Sequence, residues 1–104
     1  MTIKEEEQVK KTESEAQRPV FKVQLLVSDR PMKVTDRRFK GIKPIDYYKE
    51  KGMYKYTYGK TTDYNEIKRL HRSVKGKLQG SFIVAFLDGE RMNLAEAIKM
   101  SKRK

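Results

Sequence analysis

The chain has 104 residues, with 25 Lys and Arg against 14 Asp and Glu, for a formal net charge of +11. Its length suits one small domain, and the lack of cysteine excludes a disulfide framework and a Cys-ligated zinc site. The charge is uneven, because residues 1–19 carry a net −1 and residues 20–104 carry +12. No apolar run approaches the roughly 18 residues of a membrane span. The composition indicates a basic domain that meets an anionic partner or an anionic surface.

Residues 1–19 are predicted to form a flexible linker. The segment is rich in Glu, Lys, Gln, Ser and Thr, so it cannot bury enough apolar surface to offset its ordering entropy. Residues 20–104 are predicted to form the domain, and a linker before a small basic domain suggests a C-terminal module of a larger protein. The N-terminus lacks the basic and then apolar layout of a secretory signal, so an exported protein would carry its signal upstream of this sequence.

The first strand is predicted over Phe21–Ser28, where side chains alternate between two faces. The inward set is Phe21, Val23, Leu25 and Val27. The set on the opposite face is Lys22, Gln24, Leu26 and Ser28. Residues 29–44 contain two prolines and a glycine, and they support no more than a helical turn or two around Thr35–Phe39.

A hairpin is predicted from Ile45–Lys49 and Met53–Tyr58, with Gly52 supplying a positive φ at the turn. In the second of these strands three tyrosines alternate with Met, Lys and Thr, so one face is aromatic and the other is polar and cationic. We expect the tyrosines to favour the core. The neighbours Tyr47 and Tyr48 point to opposite faces, so one of them is expected to be available to a ligand.

The clearest helix is predicted to begin at Asp63, which with Glu66 fits a capping box, and to stop at Gly80. A central strand over Ser81–Leu87 and a final short helix capped by Asn93 complete the pattern. The order predicts an α+β, ferredoxin-like β-α-β-β-α-β fold with a four-stranded antiparallel sheet, a weak first helix and an extra C-terminal helix. The sheet face away from the helices would be open to solvent.

Catalytic chemistry is not indicated by any residue pattern. His71 is the only histidine, and neither cysteine nor clustered carboxylates accompany it as metal ligands. Ser28 and Ser81 lack a recognisable base, and the glycine spacing forms no phosphate loop. The sequence therefore predicts a non-enzymatic module without a cofactor or a metal.

The run Tyr54-Lys55-Tyr56-Thr57-Tyr58-Gly59, followed by a helix and then by Phe82-Ile83-Val84-Ala85-Phe86, resembles the second half of SPOR (sporulation-related repeat) domains. Phe21-Lys22-Val23-Gln24 is similar to the first strand of that family. Over roughly residues 20–100 the chain looks most like the C-terminal SPOR-like domain of Bacteroides-type N-acetylmuramoyl-L-alanine amidases. It departs from the family at Leu26-Val27-Ser28, where a Gly-Ser-Phe sequence is usual.

The resemblance implies a non-catalytic module of the periplasm or cell envelope. Such a module binds peptidoglycan glycan strands that have lost their stem peptides, and it targets a tethered amidase domain to the septum. The family's binding positions correspond to Gln24, the end of the first strand near Ser28, Lys55 and Thr57. The strand patterns add Lys22 and Tyr48. The expected glycan site is therefore Lys22, Gln24, Ser28, Tyr48, Lys55 and Thr57.

Two other functions stay open from the residues alone. An RNA-recognition module has the same topology, a basic charge and exposed aromatic residues. Met53–Tyr58 lacks the strand motif of that module, so no specific nucleic-acid partner is expected, although a charge of +12 favours non-specific adhesion. The remaining alternative is a protein–protein adaptor.

Overall fold

The computed structural model describes residues 18–102, so most of the predicted linker lies outside the described residues. Its elements follow the predicted order with one additional strand. The strands are β1 (Val20–Ser28), β2 (Asp46–Glu50), β3 (Met53–Thr61), β4 (Phe82–Leu87) and β5 (Glu90–Met92). The helices are α1 (Tyr64–Lys75) and α2 (Leu94–Lys102). The sheet order is β2-β3-β1-β4-β5 and all pairs are antiparallel, which confirms the α+β, ferredoxin-like prediction with five strands instead of four.

The main core lies between the sheet and the two helices, on what we call the helix face. Its buried centre includes Phe21 and Val23 from β1, Ile67 from α1 and Ala97 from α2. Both helices therefore cover the same side of the sheet, and the C-terminal helix leaves the opposite side free. Within residues 18–102 neither helix is long and apolar enough to cross a membrane.

The predicted weak first helix is a single 3-10 turn, Arg37–Phe39. Asp36 caps it by accepting a hydrogen bond from the backbone N–H of Arg38 at 2.9 Å. Phe39 is buried and lies edge-on to the Tyr56 ring, with 5.3 Å between ring centroids. Because a loop replaces a full helix here, the β2 end of the helix face is thinly covered, and Tyr47 is 52% exposed.

Helix α1 is shorter than predicted. Asp63 caps it as expected, accepting from the backbone N–H groups of Asn65 at 2.9 Å and Glu66 at 3.3 Å. The helix ends at Lys75 and not near Gly80, because the N–H groups of Lys77 and Leu78 both turn back to the Val74 carbonyl at 2.9 Å. The Asp63 cap was therefore confirmed and the stop at Gly80 was wrong. The second bond of the capping box does not form, because Glu66 accepts from the Thr61 hydroxyl at 2.7 Å and the Asp63 N–H donates to that hydroxyl at 3.0 Å.

A bulge in β1 overturns the predicted alternation at the end of that strand. Gln24 pairs with Thr57 and Leu26 pairs with Tyr56, so Leu25 is an extra residue in the ladder. Beyond it, Leu26 packs against the core and Val27 is 46% exposed, the reverse of the predicted orientation. One inserted residue moves every later side chain to the other face.

Gly59 occupies a second irregularity, where β3 carries the extra residue against β1. Its φ is +83°, a conformation that costs an L-residue about 1–2 kcal/mol. A Cβ at this position would lie 2.9 Å from Leu70 Cδ1 and 3.3 Å from Ile67 Cδ1. Glycine thus lets the strand bend and lets α1 approach the sheet closely.

Two-residue turns close both hairpins. Lys51 and Gly52 have φ values of 54° and 78°, and Asp88 and Gly89 have 54° and 82°. Two successive positive φ values define the type I′ turn that matches the twist of hairpin strands. The second turn returns the chain as β5, the strand that the sequence analysis missed.

Replacing Gly59 with alanine should destabilise the domain by about 2–4 kcal/mol, through the positive φ and the overlap with Leu70. Gly76→Ala is the matched control, because Gly76 is helical at φ −67° with open space around it. We expect the control to be neutral or stabilised by up to about 1 kcal/mol. Urea unfolding checks both values, and equal effects at the two sites would contradict the assigned role of Gly59.

Candidate binding site

The sheet face opposite the helices is concave. In a flat sheet β2 and β4 would lie roughly 14 Å apart, since neighbouring strands are about 4.8 Å apart. The ring centroids of Tyr48 on β2 and Phe86 on β4 are nevertheless 5.0 Å apart, with the rings nearly perpendicular. Arg91 on β5 also reaches Tyr48, with 2.9 Å between Nη1 and Oη. The sheet therefore curls toward this side, so that side chains of its two edge strands meet, and we call this side the concave face.

A hydrogen-bonded chain crosses the concave face. The Tyr48 hydroxyl donates to Gln24 Oε1 at 2.5 Å and accepts from Arg91 Nη1. Gln24 is 4% exposed and its ladder partner Thr57 is 1% exposed. These two polar residues thus form the floor of the face, and a ligand at the surface would first meet the Tyr48 side chain.

A small charged cluster lies at the same edge. Lys55 Nζ is 2.6 Å from Glu50 Oε1, and Arg91 Nη1 is 3.6 Å from the same oxygen. The hydrogen bond from Lys55, with the nearby charges of Lys55 and Arg91, lowers the pKa of the Glu50 carboxyl below its usual value. One carboxylate is therefore held between two cations from different strands.

Apolar and cationic groups surround this network. Phe82 lies beside Gln24 in the β1–β4 ladder and is 46% exposed. Lys22 Nζ lies 4.9 Å above the Phe86 ring, and no ion pair of Lys22 occurs among the described residues. The concave face is thus a shallow surface with an exposed aromatic ring and cations, over a buried polar floor.

The structure brings five of the six expected site residues together. On the concave face the strand register places Lys22, Gln24, Tyr48, Lys55 and Thr57. Ser28 lies apart, because the bulge pairs it with Tyr54 of the helix face. The Ser28 hydroxyl instead closes a local turn, donating to the Arg30 carbonyl at 2.7 Å and accepting from the Arg30 N–H at 3.1 Å.

This face also holds residues that the sequence patterns did not assign to it, among them Val27, Glu50, Phe82 and Arg91. The predicted strand ends at Lys49, but Glu50 pairs with Met53 as the last residue of β2. The alternation in β4 already separates Phe82, Val84 and Phe86 from Ile83 and Ala85. The Asp-Gly turn before Glu90 was the available signal for the hairpin that carries Arg91.

The concave face carries polar, cationic and aromatic side chains. It offers amide, hydroxyl, ammonium and guanidinium groups, with aromatic rings between them. Within the part of the chain that the structure describes, no group of three or more His, Asp or Glu side chains could hold a metal ion. The exposed lysines and arginines of α1 lie on the far side of the molecule, facing solvent.

Removing the Tyr48 hydroxyl as Tyr48→Phe should cost about 1–3 kcal/mol of unfolding free energy, because the buried Gln24 carbonyl loses its donor. Tyr47→Phe is the control, since Tyr47 is the exposed neighbour and no side-chain hydrogen bond of Tyr47 occurs in residues 18–102. We expect that control to change stability by less than about 0.5 kcal/mol. Chemical denaturation measures the unfolding free energy of both variants. An unchanged value for Tyr48→Phe would refute the role of the Tyr48 hydroxyl in joining Gln24 and Arg91.

The Glu50 ion pairs should make stability depend on pH in the acid range. The folded pKa of Glu50 is lowered, so its contribution is complete above the unfolded pKa, near 4.5, and is lost as pH falls through the folded pKa. The stability advantage of the wild type over Glu50→Gln should shrink on acidification. In a Lys55→Met background the same substitution should have a smaller effect. Unfolding curves at several pH values measure this difference, and a constant advantage at all pH values would contradict the assignment.

Comparison of the chain with protein-family models, with curated proteins and with solved structures gives no match.

Proposed function

We propose that this domain binds the glycan strands of peptidoglycan on its concave face, without catalysing a reaction, and targets a linked cell-wall amidase to the septum. One observation carries the proposal. Five residues selected from the strand patterns and from the resemblance to SPOR domains lie on a single face, beside the exposed ring of Phe82. This site would act in the periplasm or cell envelope, where peptidoglycan is located.

The chemistry of the face suits a sugar strand with intermittent negative charge. A hexose presents apolar C–H faces that pack on aromatic rings, as Phe82 and the upper surface of Tyr48 offer. A strand stripped of its stem peptides carries one free lactyl carboxylate per disaccharide. Lys22, Lys55 and Arg91 supply cationic donors within the same face, and such charge-assisted hydrogen bonds are stronger than neutral ones.

The shallow shape also fits an extended ligand. The buried floor of Gln24 and Thr57 leaves no deep slot for an isolated small molecule. A polymer can instead lie along the surface and make several modest contacts. Weak contacts are sufficient for targeting, because a tethered catalytic domain is kept at a high effective concentration beside its substrate.

The distribution of aromatic residues favours a glycan over single-stranded RNA. RNA-recognition modules stack bases on aromatic side chains of their sheet face. In this domain the two central strands place Lys22, Gln24, Lys55 and Thr57 on the concave face. The tyrosines of β3 pack toward the helix face. The exposed Phe82 is thus offset from the centre of the sheet.

The test is co-sedimentation of the domain with purified sacculi before and after amidase treatment. We expect stronger retention on amidase-treated sacculi, and about a two- to tenfold loss for Phe82→Ala, as an aromatic contact of this kind contributes. Tyr47→Ala is the matched control, because it removes a similarly exposed ring from the helix face.

Equal retention on treated and untreated sacculi would refute the preference for denuded strands. Equal losses for Phe82→Ala and Tyr47→Ala would refute the concave face as the site. Single-stranded RNA provides the competing ligand, and binding to RNA that persists above about 0.3 M salt would favour the nucleic-acid alternative, since purely electrostatic contact fades with salt.

A further inference from the structure

One carboxylate and two cations meet at the edge of the concave face. Glu50 comes from β2, Lys55 from β3 and Arg91 from β5, and both cations approach the same oxygen, Glu50 Oε1, at 2.6 and 3.6 Å. All three side chains retain solvent contact, with exposed fractions of 33% for Glu50, 19% for Lys55 and 36% for Arg91. The cluster therefore lies at the mouth of the face and not in its floor.

Each of the two cations also has a contact with Tyr48 that does not involve Glu50. The Arg91 guanidinium donates to the Tyr48 hydroxyl at 2.9 Å, and Tyr48 is itself fixed by Gln24 and by the Phe86 ring. A guanidinium has five N–H donors, so this bond leaves several of them available. Lys55 Nζ also lies 6.0 Å from the centroid of the Tyr48 ring. Both cations therefore keep a contact with Tyr48 when the carboxylate partner is exchanged.

Glu50, in contrast, is loosely anchored. It is the last residue of the edge strand β2, next to the Lys51-Gly52 turn, and its only ion pairs among the described residues are those with Lys55 and Arg91. A partly exposed ion pair of this kind contributes little net free energy, and its carboxylate regains hydration when it swings into solvent. Replacing the Glu50 carboxylate by a ligand carboxylate therefore costs little free energy.

We propose that the Lys55–Arg91 pair is the subsite for a ligand carboxylate and that Glu50 occupies it as an internal substitute until the ligand displaces it. The ligand identity rests on the proposed function, under which the incoming group is the lactyl carboxylate of a muramic acid residue. Arg91 and Glu50 then become specificity residues. Arg91 binds the charged sugar. Glu50 excludes carboxylate ligands whose affinity for the Lys55–Arg91 pair is too low to displace it.

A carboxylate subsite distinguishes two classes of glycan that share the same sugar backbone. A denuded peptidoglycan oligomer carries a carboxylate on alternate sugars, whereas a chitin oligomer of equal length carries none. The carboxylate subsite acts only on the first, while stacking on Phe82 acts on both. Substitutions at the subsite should therefore change the affinity for the first oligomer and leave that for the second unchanged.

The experiment is a calorimetric or NMR titration of the domain with both oligomers at about 0.15 M salt. Glu50→Gln should tighten binding of the carboxylate oligomer about three- to tenfold, since it removes the competing charge, and Arg91→Gln should weaken it about tenfold. Glu90→Gln and Arg69→Gln are the controls, because they make the same charge changes at exposed positions of β5 and α1. They should alter affinity by less than about twofold.

The outcomes distinguish the carboxylate subsite from glycan binding by the concave face. If both oligomers bind equally and Glu50→Gln changes neither, the glycan face stands and the carboxylate subsite is overturned. If neither oligomer binds, the proposed function fails, and the subsite is decided with free N-acetylmuramic acid at millimolar concentration. A shift of the Arg91 Nε–Hε signal that grows in Glu50→Gln supports the subsite, and no shift in either protein overturns it.

Discussion

The hydroxyl of Tyr48 holds the two edges of the sheet together, and the form of the concave face depends on it. Through this one oxygen an edge strand is joined to the central strand at Gln24 and to the opposite edge at Arg91. The Tyr48 ring also makes an edge-to-face contact with Phe86, so an apolar contact supports the two hydrogen bonds of the hydroxyl, which we call the Tyr48 bridge. Hydrogen bonds that polarise one another in a poorly hydrated site are cooperative. The same bridge satisfies a nearly buried glutamine and positions a guanidinium.

Local signals accounted for most of the fold, because alternation, capping and turn chemistry act over a few residues. Asp63 capped its helix as predicted, and the tyrosines of β3 packed toward the core. Two failures were local, the helix stop at Gly80 and the missed β5 hairpin, and the others lie where long-range contacts decide the outcome. The bulge at Leu25 reversed the predicted orientation of the Val27 side chain. The pairing with β3 sets the register at this end of β1, and the sequence of β1 alone does not reveal it. For the site, the alternation of side chains along each strand placed five residues correctly on one face. Neither the burial of Gln24 nor the approach of Arg91 follows from that alternation, because both require the sheet to curl.

The net charge of the domain and the charge of its concave face are separate properties. Residues 20–104 carry +12, yet the concave face combines Lys22, Lys55 and Arg91 with the carboxylates of Asp46 and Glu50. Much of the remaining positive charge lies on exposed residues of α1 and the loops. A diffuse positive field of this kind draws a protein toward anionic polymers without selecting among them. Under the proposed function, the field would keep the domain near the cell wall, and selection would come from the few groups held by the Tyr48 bridge.

The bridge also limits how a ligand can bind. The oxygen of the Gln24 amide already accepts from Tyr48, and the residue is 4% exposed. A sugar could reach that amide only if Tyr48 rotated away, which would break the bond to Arg91 and leave a buried polar group without its partner, at a cost of about 1–3 kcal/mol. Contact with the ring surface of Tyr48, with Phe82 and with the cations at the mouth breaks neither bond. The geometry therefore favours a ligand that lies across the Tyr48 ring. Gln24, in the polar floor, contributes by holding Tyr48 in position through its hydrogen bond.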